Sequence, residues 1–178
     1  MAIVKHIKSR NANYSDALDY LIFQHDESTG KMILDEFNRP LRRDELYMDG
    51  LNCNPDTFDV ECYECNEHFK KNRSKSEIKS HHYIISYDPA DAIECDLTGE
   101  KAQALSLDLA KKIFPGYQAL IVTHTDGHNG SGNIHTHIVI NSVRKEAVRR
   151  QRYMDKPHEE IAGYKHRSTN KFLNYFKK

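Results

Sequence analysis

Four segments of the chain carry the alternating or β-branched pattern that predicts β-strands. They are "MAIVKHIKS" at the start, "HHYIISYDP" from residue 81, "YQALIVTH" from residue 117 and "IHTHIVINSV" from residue 134. Asp88 and Pro89 predict a turn that closes the second segment. Only the loop "TDGHNGSGN" separates the last two segments, so we expect them to form an antiparallel pair.

Two segments show the 3.6-residue apolar period of an amphipathic helix. In "NANYSDALDYLIF" we expect Ser15 to be the N-cap. In "TGEKAQALSLDLAKKIF" we expect Thr98 to cap the helix and Pro115-Gly116 to end it. The predicted buried stripes are Ala17, Leu18, Leu21 and Ile22 in the first helix, and Ala102, Leu105, Leu109 and Ile113 in the second.

The remaining segments are less regular. A turn or short hairpin and a polar loop are expected from residue 25 to 45, followed by a helix that begins near Pro55. The last segment, "KPHEEIAGYKHRSTNKFLNYFKK", is predicted to form one or two basic helices. Together the pattern predicts a single α+β domain over residues 1–178, with a central, mainly antiparallel sheet flanked by helices.

Composition narrows the class of protein. No apolar run approaches the length of a membrane span, and the N-terminal residues lack the apolar core of a secretory signal, so we expect a cytoplasmic protein without membrane insertion. No glycine-rich phosphate loop follows a predicted strand, which disfavours nucleotide-binding folds. The chain ends abruptly on "NYFKK", which is compatible with the N-terminal part of a longer protein.

The net charge of zero conceals an asymmetry along the chain. Residues 16–67 hold four lysines and arginines against fourteen acidic residues, whereas residues 144–178 hold eleven against four. A polyanion would therefore bind at the C-terminal stretch, although basic helices are often only solvated. The residues expected to contact a polyanion in this stretch are Arg149, Arg150, Arg152, Lys165 and Arg167.

The four cysteines leave two interpretations open. Cys62, Cys65 and His68 have the spacing of half a structural zinc site, which would need Cys53 to approach completion. The interpretation that we prefer is reduced cysteines on a helix near the surface.

The segment "HTDGHNGSGNIHTHIVIN" holds four of the eleven histidines. On a strand, His135 and His137 project to one side and the neighbouring isoleucines to the other. Pairing with the preceding strand would bring His124 beside them. Three histidines could then hold one divalent ion and leave positions open for water or substrate, as in a catalytic site.

Two neighbours of these histidines are assigned smaller roles. Asp126 could fix the tautomer of an imidazole or polarise a hydroxyl group. His128 lies in the glycine-rich loop and is treated as a spare histidine.

Nitrogen ligands favour manganese, zinc, nickel or cobalt over magnesium, but abundance in the cell favours magnesium. We therefore expect Mn²⁺ or Mg²⁺, with other transition metals in a purified sample.

The histidine segment resembles the histidine motif of relaxases, the mobilisation nucleases of conjugative plasmids and transposons within the HUH endonuclease group. "HHYIISYDPAD" is similar to the second motif of that family, "ALDYLIF" to the first, and "AGYKHRSTNKFLNYFKK" extends the resemblance to the end of the chain. The resemblance implies a relaxase domain whose sheet has a ferredoxin-like or palm-like core.

The resemblance also implies a chemistry: a tyrosine attacks one phosphodiester of the transfer origin, becomes joined to the 5′ phosphate and leaves a free 3′ hydroxyl. It directs attention to Tyr20 as the nucleophile and to Ser86 as a DNA contact. It further implies origin DNA with a single strand beside a hairpin, accessory transfer proteins and a type IV secretion coupling protein as partners.

Helical geometry agrees with the choice of tyrosine. At about 100° per residue, Tyr20 lies roughly 130° from the centre of the apolar stripe of its helix, whereas Tyr14 falls on the stripe. Tyrosine is a weak nucleophile at its ordinary pKa near 10, so it needs a metal or a base to lose its proton.

Two alternatives stay open. A rolling-circle replication initiator or transposase of the same superfamily would place its tyrosine after the histidine motif, and "YMDK" at Tyr153 to Lys156 could supply it. A non-catalytic DNA-binding module would use the histidines for a structural metal with a closed coordination shell.

Overall fold

The computed structural model describes residues 3–26, 28–126 and 133–177. Its centre is a five-stranded sheet in the order β1-β3-β5-β4-β2, and each neighbouring pair is antiparallel. The strands are β1 (Ile3–Ser9), β2 (Leu46–Leu51), β3 (Ser80–Ser86), β4 (Tyr117–His124) and β5 (His135–Arg144). The predicted α+β class and antiparallel sheet are confirmed.

Helices cover both faces of this sheet. They are α1 (Ser15–Ile22), α2 (Phe58–His68) after a short 3-10 turn, α3 (Pro89–Glu94), α4 (Gly99–Ile113) and α5 (Asn170–Phe176). None of the helices in the described ranges is long and apolar enough to cross a membrane.

Alternation along β5 divides the core into two halves. Ile138 and Ile140 pack with α4 and α5, whereas Val139 packs with α1 and α2. We call these the α4 face and the α1 face. His135 and His137 share the α1 face with Val139, so helices bury the strand on both sides instead of leaving a polar face in solvent.

The structure corrects the ends of several elements. α1 begins at Ser15 with Tyr14 in the N-cap position, and the Ser15 hydroxyl group donates to Asn13 instead of capping the helix. Asp88 caps α3 through a capping box, where the sequence predicted only a turn. The C-terminal stretch contains only the short helix α5, after turns that run along the sheet.

The buried face of α4 is also rotated from the predicted stripe. Leu105 is 58% exposed, whereas Gln103 and Ser106 are buried. Gln103 donates to Asp49 and accepts from Thr123, and Ser106 shares a hydrogen bond with Tyr87. Because these polar side chains find partners on the sheet, they can be buried in place of a leucine.

Candidate metal and nucleophile site

Three histidines meet at the end of the sheet where β4 finishes and β5 begins. His124 and His135 are directly opposite each other in the antiparallel register, and His137 lies two residues further along the same face. The ligand nitrogens of the three imidazoles all lie within 4.8 Å of one another. The sheet register thus brings the three predicted ligands together.

Hydrogen bonds to backbone carbonyl groups orient two of the three rings. His124 donates from Nε2 to the Leu21 carbonyl oxygen at 2.7 Å, and His135 donates from Nδ1 to Asn133 at 3.1 Å. A carbonyl oxygen only accepts, so in the neutral imidazoles the opposite nitrogens, His124 Nδ1 and His135 Nε2, carry lone pairs. These two nitrogens are 3.3 Å apart.

Two facing lone pairs repel each other unless a cation lies between them. Nitrogens about 2.1 Å from one tetrahedral ion are about 3.4 Å apart, close to the observed separation. The donor set therefore fits a divalent transition metal.

His82, which the sequence analysis did not single out, orients the third ring. His82 Nε2 lies 2.8 Å from His137 Nδ1. If His137 donates in this bond, its Nε2 lone pair is turned toward the other two ligands. Metal-binding histidines commonly use such an outer hydrogen bond to fix their tautomer.

Burial keeps His124, His137 and His82 neutral at physiological pH. It lowers the pKa of His124 to about 4, with the Arg43 charge as a second cause, and it lowers the pKa of His137 well below its ordinary value. Burial also lowers the pKa of His82 to about 4. A neutral imidazole is the form that binds metal ions.

Tyr20 lies in the cleft beside the triad. The cleft has a volume of about 370 Å³, and its lining includes Tyr20, His135, His137, Lys5 and Ser86. The side chain of Tyr20 is 45% exposed, and its ring lies 5.5 Å from that of His25. The Leu21 carbonyl that holds His124 directly follows Tyr20 in α1, so one short piece of backbone positions both groups.

Tyr14 has a different environment on the same helix. It is buried, and its hydroxyl group donates to the Lys79 carbonyl oxygen at 2.8 Å. Burial raises the pKa of Tyr14 above its ordinary range. The prediction that Tyr14 belongs to the core and Tyr20 does not is confirmed.

Two other predicted site residues also lie close to the triad. Ser86 lines the cleft directly opposite His135 in the β3 and β5 register. Asp126 forms an ion pair with Arg43. The Nε2 atom of His124 has the Leu21 carbonyl oxygen, and not Asp126, as its hydrogen-bond partner. His128 lies outside the described residues.

Lys165, one of the predicted DNA-binding cations, is far from the triad. Lys165 forms a β-bridge with Val143, near the end of β5 that lies about 30 Å from His135 at about 3.3 Å per residue. Lys165 pairs with Glu77, and Arg150 pairs with Glu160. The structure therefore separates Lys165 from the metal and nucleophile site. The remaining three, which are exposed, are Arg149, Arg152 and Arg167.

The cysteines do not form a second metal site. Cys62 and Cys65 are buried in α2, which corrects the expectation of a position near the surface. Burial raises the pKa of Cys53 and Cys65 to about 11, which disfavours the thiolate form that zinc binds. In the described part of the chain, the histidine triad is the one group of three or more potential ligands that converge.

Comparison with known proteins identifies the family. Residues 33–166 match the family described as relaxase, MobA/VirD2-like, nuclease domain. The chain belongs to this relaxase family. The matched residues of the relaxase domain include the triad, His82 and Ser86, whereas Tyr20 precedes them and Arg167 follows them.

Curated relatives agree with the family. One protein rlx of Staphylococcus aureus is 34% identical over 101 residues, which cover 54% of this chain and 27% of the relative. A second protein rlx from the same organism is 36% identical over 101 residues, which again cover 54% of this chain and 27% of the relative. The chain spans about a quarter of the length of these curated relatives.

Proposed function

We propose that this relaxase domain is a metal-dependent, strand-specific DNA transesterase that nicks a transfer origin and becomes linked to the 5′ phosphate through Tyr20. The observation that supports the proposal best is the shared cleft, in which an exposed tyrosine lies beside three convergent imidazoles. The relaxase family supports a nicking role in general terms.

The proposed reaction exchanges one phosphodiester for another. The Tyr20 hydroxyl oxygen attacks the scissile phosphorus, the bond to the 3′ oxygen breaks, and the proton lost by the phenol is balanced by the one that the 3′ hydroxyl gains. A divalent ion, with Mn²⁺ or Mg²⁺ as candidates, would polarise the phosphate and stabilise its developing charge. His124, His135 and His137 would hold this ion.

The other residues of the cleft have supporting roles in this proposal. Ser86 can donate a hydrogen bond to a phosphate oxygen, and Lys5 adds a positive charge at the same wall. Asp126 forms an ion pair with the Arg43 guanidinium group; the Arg43 charge lowers the pKa of His124, and the Asp126 charge raises it. We further propose the transfer origin, accessory transfer proteins and a secretion coupling protein as partners, with action in the cytoplasm.

Burial argues against the alternative nucleophile. Tyr153 is only 5% exposed, packs on the α4 face and donates to the Ile113 carbonyl oxygen at 2.9 Å. A replication-initiator arrangement would require this side chain to leave the core and reach the opposite face of the sheet. The open cleft beside the triad equally disfavours a closed, purely structural metal site.

The proposal is tested by incubation with single-stranded origin oligonucleotides and Mn²⁺. We expect a cleaved strand with a 3′ end that a polymerase can extend and a 5′ end blocked by protein. Chelation of the metal and His135→Ala should both abolish the product. Cleavage that persists with His135→Ala, or product ends with a free 5′ phosphate, would contradict the proposal.

A further inference from the structure

A second polar cavity lies on the α4 face, near the end of β1 and away from the triad. Its volume is about 200 Å³, and its polar lining is Lys8, His81, His166, Arg167, Ser168 and Thr169. We call it the Lys8–Arg167 pocket. His81 is five residues from Ser86, which pairs with His135, so about 16 Å of strand separates the pocket from the triad.

The two cations of the pocket differ from other cations in this region. Lys165 pairs with Glu77, and Arg150 pairs with Glu160. In contrast, no ion pair or side-chain hydrogen bond of Lys8 or Arg167 is found within the residues that the structure describes. Their charges are therefore available to an anion.

A buried imidazole adds a hydrogen-bonding group without a partner. His81 is 2% exposed, and its Nδ1 lies 3.0 Å from His6 Nε2. With His6 as the donor in that bond, neutral His81 carries its own proton on Nε2. This buried Nε2 has no hydrogen-bond partner among the described atoms, an arrangement that folded proteins usually avoid.

The local electrostatics also favour an anion. The pKa of His81 is lowered to about 3, mainly by burial and in part by the charges of His6, Lys8 and Lys165, with no acidic group among the causes. The Thr169 hydroxyl oxygen accepts from the Phe172 backbone N–H, so its own hydrogen can be donated elsewhere. The pocket thus combines two cations with neutral donors.

We propose that the Lys8–Arg167 pocket binds a phosphate group of the DNA backbone, as a contact separate from the scissile phosphate. Because β1 is an edge strand of the sheet, a bound DNA strand can pass around it from the α1 face to the α4 face. This inference rests on the proposed function, which supplies DNA as the source of the phosphate group. It also explains how Arg167 can contact DNA although it lies far from the triad.

The test measures the affinity for a labelled, single-stranded oligothymidylate by fluorescence anisotropy, with the metal chelated, over a range of salt concentrations. The combined variant Lys8→Ala and Arg167→Ala should bind more weakly. Its plot of log affinity against log salt should be less steep by about 0.7 for each lost phosphate contact. The variant Lys8→Arg with Arg167→Lys should restore the slope.

The matched control is Lys111→Ala with Lys112→Ala, which removes two exposed charges from α4 and should leave the slope unchanged. An equal change in the control, or an unchanged slope in the pocket variant, would overturn the proposal. Stabilisation of the wild type by inorganic phosphate without any effect of the pocket variant on DNA binding would overturn DNA as the source. Cleavage of origin oligonucleotides by the wild type with Mn²⁺ tests the proposed function separately.

Discussion

The two faces of the sheet both carry histidines and a tyrosine, but they organise them differently. On the α1 face, carbonyl groups and His82 hold the triad so that its nitrogens converge. On the α4 face, His6 stacks on Tyr83, and His166 packs edge-on against aromatic rings and shares a hydrogen bond with the Tyr83 hydroxyl group. Histidine content alone does not predict a metal site, because a metal ion would need lone pairs that converge on one point.

The largest contrast between the faces should appear in metal binding. His135→Ala removes a ligand, so we expect the affinity for Mn²⁺ to fall by more than the roughly 10–100-fold typical of changes in outer hydrogen-bond partners. The matched change on the other face, His166→Phe, should leave the affinity unchanged although it disturbs packing. Isothermal titration calorimetry measures both, and equal losses would remove the distinction between the faces.

A smaller loss of metal affinity is expected at His82. His82→Leu removes the hydrogen-bond partner of His137 Nδ1, so the affinity for Mn²⁺ should fall about 10–100-fold. His82→Gln should retain most of the affinity because it places an amide oxygen near the position of Nε2. If the leucine variant binds Mn²⁺ as tightly as the wild type, the His82 contact does not orient the ligand.

Both faces should contribute to instability in acid. The pKa of His82 and His124 is lowered to about 4 and that of His81 to about 3, from an ordinary value near 6.5. In this range the unfolded chain binds more protons than the folded one, so the free energy of unfolding should fall as pH drops from about 6.5 toward about 4. Urea titrations of the metal-free protein across this range provide the measurement; constant or rising stability at lower pH would be inconsistent with buried neutral histidines.

The smallest predicted difference is in stability, between Tyr14 at the N-cap of α1 and Tyr20 within the helix. Tyr14→Phe leaves buried partners of its hydroxyl group, including the Lys79 carbonyl oxygen and Asn66, without that bond and should cost about 1–3 kcal/mol of stability. Tyr20→Phe changes a half-exposed side chain and should stay within about 0.5 kcal/mol. Chemical denaturation of both variants checks the difference, and the reverse order would contradict the assigned environments.

Local patterns predicted that His124, His135 and His137 lie together, because strand alternation and a hairpin suffice for this. They could not predict His82, because its contact with His137 depends on the register between β3 and β5, which are far apart in the sequence. The role of a histidine outside the cluster, such as His82, therefore cannot be assigned until the register between the strands is known.

Non-local packing also explains the missed strand β2. Its sequence "LYMDGL" contains Asp49 and Gly50, which strands disfavour. In the fold, Asp49 accepts a hydrogen bond from Gln103, and a side chain on Gly50 would collide with the Cys53 carbonyl oxygen, at 2.2 Å from its Cβ. Both residues suit contacts that no local pattern reveals.

Tyr20 is the proposed nucleophile beside the triad. The most direct measurement is mass spectrometry of tryptic peptides after reaction with a single-stranded origin oligonucleotide and Mn²⁺, for the wild type, Tyr20→Phe and Tyr153→Phe. We predict a nucleotide adduct on the peptide that contains Tyr20. This adduct should be retained in Tyr153→Phe and absent from Tyr20→Phe. An adduct on Tyr153, or one that survives in Tyr20→Phe, would contradict it.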